Sequence, residues 1–136
     1  MYKTLVTLAF FFLTARALAL EVPLEITEYI DDVKVIAYLH ESDIDNGPQW
    51  TPFTGPPPLP ISDALEAVHH FISSDAEFAD AALTGIELKP IPHHAMHWHY
   101  LVKVRFTLDG KPRPHFFVVL MDGKVISAIK RPEPIY

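Results

Sequence analysis

Hydrophobic and polar residues alternate along the second half of the chain, which is the pattern of β-strands with two different faces. The alternation predicts four strands, over residues 86–91, 99–108, 115–121 and 124–130. In the second strand, one face is apolar and consists of Trp98, Tyr100, Val102, Val104, Phe106 and Leu108. The opposite face is mostly polar and consists of His97, His99, Leu101, Lys103, Arg105 and Thr107. We therefore predict an antiparallel sheet with one dry face and one face in water.

The third predicted strand differs from the others because it is apolar on both faces (HFFVVLM, residues 115–121). A strand of this kind belongs in the centre of a sheet. Asp122 and Gly123 follow it and predict a two-residue turn with positive φ. Asp109 and Gly110 are expected to open a longer connection that reaches Pro114.

The pattern over residues 24–39 fits both a strand and a helix. Residues 33–39 alternate as a strand does, whereas Ile26, Ile30, Val33 and Ile36 also suit a helical stripe. Enrichment in Ile, Val and Tyr favours a strand over residues 33–40, preceded by a shorter extended piece over residues 24–29. Residues 41–60 contain six prolines and predict an extended surface crossing without a helix. Trp50 and Phe53 are expected to pin this crossing to the core.

Residues 61–72 give the clearest helical pattern of the chain. The apolar positions that recur at helical spacing are Ile61, Leu65, Val68, Phe71 and Ile72. Ser62 is predicted as the N-cap, and Asp75 as the cap of a second short helix through Leu83. The fold class is therefore α+β, with one main helix packed on a four- to five-stranded antiparallel sheet.

The N-terminus has the pattern of an export signal over residues 1–19. Lys3 precedes an apolar run of nine residues, and Ala17 and Ala19 form a small-x-small cleavage site. The run is shorter than the roughly 20 residues that a membrane span needs. We predict an exported periplasmic or extracellular protein without stable membrane insertion after cleavage. Its single domain joins a strand and Pro-rich linker (20–60) to a helix and meander (61–136).

Charge narrows the class of partners. Without Lys3 and Arg16, nine basic residues stand against 17 acidic ones, so nucleic acid is an unfavourable partner. Eight acids lie within residues 21–45, whereas seven bases lie within residues 103–131. Two interpretations remain open: the segments neutralise each other across the sheet, or they form a charged docking surface.

Histidines provide the densest group of candidate ligands. His93, His97 and His99 precede or begin the second strand, and His97 and His99 would share one face there. Imidazoles on one face suit Zn²⁺, Cu²⁺ or Ni²⁺. The alternative is a polar edge that holds no specific metal.

Catalysis has little support in the pattern. The serines at positions 62, 73, 74 and 127 lie in no recognisable nucleophile motif. The alternation also predicts a sheet without a polar pocket. We therefore expect no enzymatic activity.

Four short segments carry a resemblance to a known family: residues 61–65 (ISDAL), 100–104 (YLVKV), 116–119 (FFVV) and 122–126 (DGKVI). Together they resemble the PepSY-like domains of exported bacterial proteins, whose helix and hairpins are similar to part of the cystatin-like fold. The resemblance covers about residues 61–130. It implies a non-catalytic extracytoplasmic module that in some members inhibits or chaperones a peptidase. The Gln-x-Val-x-Gly hairpin of inhibitory cystatins is absent from this sequence.

These observations predict an exported, non-catalytic binding or accessory domain with a protein or peptide partner. The expected recognition surface is the polar sheet face, with Lys103 and Arg105, and the loop over residues 109–113. The alternative is a periplasmic transition-metal binder that uses His93, His97 and His99.

Overall fold

The computed structural model describes residues 22–130, so the predicted signal lies outside the described residues. It confirms the α+β class, with one main helix and a four-stranded antiparallel sheet. The strands are β1 (Leu24–Ile30), β2 (Val33–Leu39), β3 (Ala82–Ile91), β4 (His94–Leu108), β5 (Lys111–Leu120), β6 (Val125–Ser127) and β7 (Ile129–Lys130). The helices are α1 (Glu41–Asp45) and α2 (Ile61–Ile72), and a 3₁₀ turn spans Ala76–Phe78.

The four strands of the larger sheet follow the order β3-β4-β5-β6 and are all antiparallel. The predicted central position of the third strand is confirmed, because β5 lies between β4 and β6. The predicted long connection after Asp109 is wrong. Asp109 and Gly110 have φ values of 52° and 74° and form a tight turn, so that β5 already begins at Lys111.

The segment before β3 differs from its prediction. Asp75 does act as a cap, accepting a hydrogen bond from the Glu77 backbone N–H at 3.0 Å. The turn that it caps ends at Phe78, however, and the chain enters β3 at Ala82. The predicted N-cap of α2 is also wrong: Pro60 occupies that position, and Ser62 lies within the first turn of the helix.

The N-terminal residues form a hairpin, which settles the ambiguity between strand and helix. β1 and β2 pair along their whole length, and Asp31 and Asp32 make the turn with φ values of 50° and 63°. β7 pairs with the other edge of β2 and completes a three-stranded sheet. The predicted fourth meander strand is therefore divided at Ala128, where the chain passes from the larger sheet to the smaller one.

The larger sheet is buried on both faces, so the predicted face in water is wrong. One face packs against α2 through Tyr100, Val102, Val104, Phe117 and Val119, as the sequence predicts. On the other face, Leu101, Phe116 and Val118 are fully buried. The smaller sheet covers them with Ile26, Val35, Ala37 and Leu39. The order of layers is thus helix, larger sheet, smaller sheet.

Ion pairs join the two sheets. Glu28 of β1 contacts Lys89 at 2.9 Å and Lys103 at 4.0 Å, and Asp31 contacts Arg105 at 2.9 Å. This arrangement confirms that the acidic N-terminal segment neutralises basic residues of the later strands. Lys103 and Arg105, the predicted recognition surface, are consequently engaged within the chain.

The crossing between β2 and α2 is partly as predicted. Trp50 does pin it, because its ring packs at nearly a right angle to that of Trp98, with centroids 5.2 Å apart, and its backbone N–H donates to the Met96 carbonyl at 2.9 Å. Phe53, in contrast, is fully exposed. The prediction of no helix is wrong at the start of the crossing: α1 forms one turn and buries Ile44, since the first proline comes only at Pro48.

Burial of β5 on both faces leads to a stability prediction. Val118→Asp places an unpaired charge between the two sheets, and we expect it to lower the free energy of unfolding by about 3 kcal/mol or more. Lys111→Ala, at an exposed position of the same strand, is the control and is expected to change it by no more than about 0.5 kcal/mol. Urea unfolding followed by circular dichroism measures both values. Equal stabilities of the two variants would contradict the layer arrangement.

Candidate functional site

A cavity of about 550 Å³ opens at the corner where the chain passes from β6 to β7. It lies below the 3₁₀ turn and beside the first half of β5. Its apolar wall contains Val33, Phe78, Phe106, Leu108 and Ile129, and its polar groups include Arg113, His115 and Ser127. The volume falls within the range of small-molecule sites. The prediction that the sheet leaves no polar pocket is therefore wrong.

The cavity exists because β6 is short. β6 pairs only with residues 117–119 of β5, so the first half of β5 keeps an edge that β6 does not cover. The register directs the N–H and C=O groups of even-numbered β5 residues toward this edge, as the bond from Ala128 N–H to the Phe116 carbonyl shows. Pro112 and Pro114 occupy two of these positions and supply no N–H there. The edge is thereby protected from pairing with another strand.

His115 and Ser127 form a polar pair in the wall of the cavity. The His115 Nε2 and Ser127 Oγ atoms are 2.9 Å apart. The ring centroids of Phe117, Phe78 and Phe106 lie 4.9, 5.1 and 6.0 Å from that of His115. Burial in this surrounding lowers the pKa of His115 to about 4. The imidazole is therefore neutral at pH 7 and pairs with the hydroxyl as an uncharged group.

Arg113 is the cationic residue of the cavity wall. It lies two residues before His115 on β5, so both side chains leave the same face of the strand. The Arg113 Nε atom is buried and has no hydrogen-bond partner among residues 22–130. An unpaired buried donor of this kind is rare in folded proteins and calls for an explanation.

The three predicted histidine ligands differ in burial and in the residues around them. His93 is exposed in the turn between β3 and β4, with a φ of 64°. His97 is buried beside a space of only about 10 Å³. His99 is 1% exposed under the smaller sheet. In the part of the chain that the structure describes, no three His, Asp or Glu side chains are arranged to hold a metal ion. The metal site stays a prediction.

His94 belongs to the same run of histidines but is not one of the three predicted ligands, and it has the closest acidic neighbours of this group. Its Nδ1 lies 3.6 Å from Asp45 Oδ1, and its Nε2 lies 3.9 Å from Glu41 Oε1. These carboxylates come from α1, a helix that the proline content of the crossing did not predict. The ring of His97 is 6.2 Å away from that of His94.

Burial also governs the ionisation of His99. Desolvation, with a smaller contribution from the Lys89 ammonium group, lowers its pKa to about 4. The Lys89 backbone opposes this shift, but neither ring nitrogen has a partner in hydrogen-bond geometry within the described residues. His99 is thus held as a neutral ring between apolar layers.

Comparisons with known proteins do not assign this chain to a family: no protein-family model, no curated protein and no solved structure matches it. The PepSY-like assignment therefore stays a prediction that rests on its four short motifs. Within residues 22–130, no helix is long and apolar enough to cross a membrane.

The buried histidines lead to a prediction on acid stability. The pKa of His99 is about 4 in the folded protein and about 6.5 when unfolded. Between these values the unfolded chain binds a proton that the folded chain does not, so acidification lowers the free energy of unfolding. The slope is up to about 1.4 kcal/mol per pH unit for each such histidine. His115 acts in the same direction.

Urea unfolding at several pH values between 6.5 and 5 measures this slope. We expect His99→Leu to reduce the slope of the free energy of unfolding with pH by roughly 1 kcal/mol per pH unit, the contribution of one buried histidine. His70→Gln, which changes an exposed histidine of α2, is expected to leave it unchanged. An unaltered slope in His99→Leu would show that this ring already titrates normally in the folded state.

Proposed function

We propose that this protein is an exported, non-catalytic binding domain whose ligand enters the cavity at the corner between the two sheets. The ligand is a small organic molecule or the side chain of a protein or peptide partner. The observation that carries the proposal is the cavity itself. It combines an apolar wall with a few polar groups, which is the composition of small-molecule binding sites.

The ionisation of His115 favours binding over catalysis. A histidine that activates a serine works best when its pKa lies near the working pH. The pKa of His115 is lowered to about 4, so its neutral ring is a weak base toward the Ser127 hydroxyl. The pair is well suited to exchange hydrogen bonds with a polar group of a ligand.

The exposed edge of β5 indicates how a peptide partner would bind. An added strand needs both donors and acceptors along the edge that it joins. Pro112 and Pro114 remove two donors from this edge, which disfavours strand addition. A peptide partner would instead insert a side chain into the cavity. Such a partner would agree with the resemblance to extracytoplasmic accessory domains, and the same cavity could equally hold a free small molecule.

An uncharged fluorescent probe, N-phenyl-1-naphthylamine, tests the proposal. We expect saturable binding with one site per chain, accompanied by increased fluorescence. Leu108→Trp fills part of the cavity from its wall and is expected to weaken this binding by about tenfold or more.

Leu83→Trp is the matched control. Leu83 is a half-exposed leucine of β3 outside this cavity, and its replacement should change the affinity by less than about twofold. The proposal fails if the probe does not saturate, or if the two tryptophan variants weaken binding equally.

A further inference from the structure

Resting on the proposed function, we propose that the cavity binds an apolar monocarboxylic acid. Arg113 and the His115–Ser127 pair hold the carboxylate, and the apolar body lies against Phe78 and Phe106. The first argument is the Arg113 guanidinium group, which belongs to the cavity lining and has neither an ion pair nor a hydrogen bond among residues 22–130. A carboxylate is the acceptor that a guanidinium group binds best in a planar, paired geometry.

The acidic residues around the cavity do not neutralise Arg113. Asp31 is paired with Arg105 through a contact of 2.9 Å. Asp75 accepts the backbone N–H of Glu77 and caps the 3₁₀ turn. Glu77 is exposed at the rim. Arg113 is thus a cation of the lining that no ion pair within residues 22–130 neutralises, while Asp75 and Glu77 keep their negative charges at the same cavity.

The neutral state of His115 adds to the carboxylate preference. An uncharged imidazole and a hydroxyl group carry two hydrogen-bond donors, one of which is used between His115 Nε2 and Ser127 Oγ, and they add no second positive charge. One cation with neutral donors matches a singly charged group. A phosphate with two negative charges would find a single guanidinium group in the cavity lining, which compensates its desolvation poorly.

The apolar part of the cavity wall determines which non-polar group the ligand can carry. Phe78 and Phe106 are in ring contact with each other, with centroids 4.9 Å apart, and they border the same cavity. Val33, Leu108 and Ile129 complete the apolar lining. Such a surface gains free energy from an aryl or alkyl group. The cavity volume of about 550 Å³ admits a ligand of more than ten non-hydrogen atoms.

Three matched compounds test the inference: 3-phenylpropanoate, 3-phenylpropanamide and 3-phenylpropylammonium. Each competes with N-phenyl-1-naphthylamine for the mature chain at pH 7 and low salt. We expect the carboxylate to bind about tenfold more tightly than the amide. The ammonium compound is expected to be the weakest.

Variants of Arg113 show whether this residue is the cause. Arg113→Gln should remove the carboxylate preference and leave the affinities for the amide and for the naphthylamine probe within about twofold. Arg113→Lys retains the charge and should keep part of the preference. Lys111→Gln removes a cation from the same strand outside the cavity wall and should preserve the preference in full.

The outcomes separate this inference from the proposed function. Equal binding of carboxylate and amide, tighter binding of the ammonium compound, or an undiminished preference in Arg113→Gln would overturn the inference while the probe still binds. If Lys111→Gln lost the preference as completely as Arg113→Gln, the cause would be net charge, and the inference would also fail. Failure of the probe itself to bind would overturn the proposed function.

Discussion

The structure depends on the burial of one strand pair, β4 and β5, on both faces. Tyr100 and Phe117 face α2, whereas Leu101 and Phe116 face the smaller sheet, and all four are at most 1% exposed. A sheet of this kind cannot be completed by one helix, because the second apolar face would remain in water. The N-terminal hairpin is therefore as necessary to the core as α2. Its acidic residues Glu28 and Asp31 are brought by the same packing to Lys103 and Arg105.

The sequence predicts the elements better than their layering. Period-two alternation identifies the first three strands of the larger sheet, although each begins earlier than predicted, and the fourth predicted strand is divided between the two sheets. The third strand, apolar on both faces, is placed correctly at the centre of the sheet. The prediction of a face in water fails because the N-terminal hairpin covers His99 and Leu101, while Lys103 and the exposed Arg105 pair with acidic residues of that hairpin. Their partners lie far away along the chain: the Arg105–Asp31 contact spans 74 residues. The two-sided character of residues 115–121 already required a second cover, but the pattern alone does not say which segment supplies it.

The candidate site was not predictable in the same way. The alternation assigns His115 and Ser127 to two different strands, and their contact at 2.9 Å depends on the pairing of Phe117 with Ser127. That register is set by the connection over residues 121–124, where Gly123 has a φ of 91° and Asp122 has no positive φ, so the predicted two-residue turn at Asp122 and Gly123 is wrong. The cavity depends in addition on the break between β6 and β7 at Ala128. Of the features of this site, the sequence indicates only the exposed edge of β5, through the prolines at positions 112 and 114.

The cavity and the double-sided core have a common cause. The last strand must leave the larger sheet in order to reach β2, so β5 loses its neighbour before its own first residues are covered. A protein selected for stability alone would fill such a corner with apolar side chains, because each buried methylene adds about 0.8 kcal/mol. This chain instead places there an unpaired Arg113 Nε donor and an uncharged imidazole. Groups that oppose stability at this incomplete corner of the core are the reason why we propose a ligand that completes it.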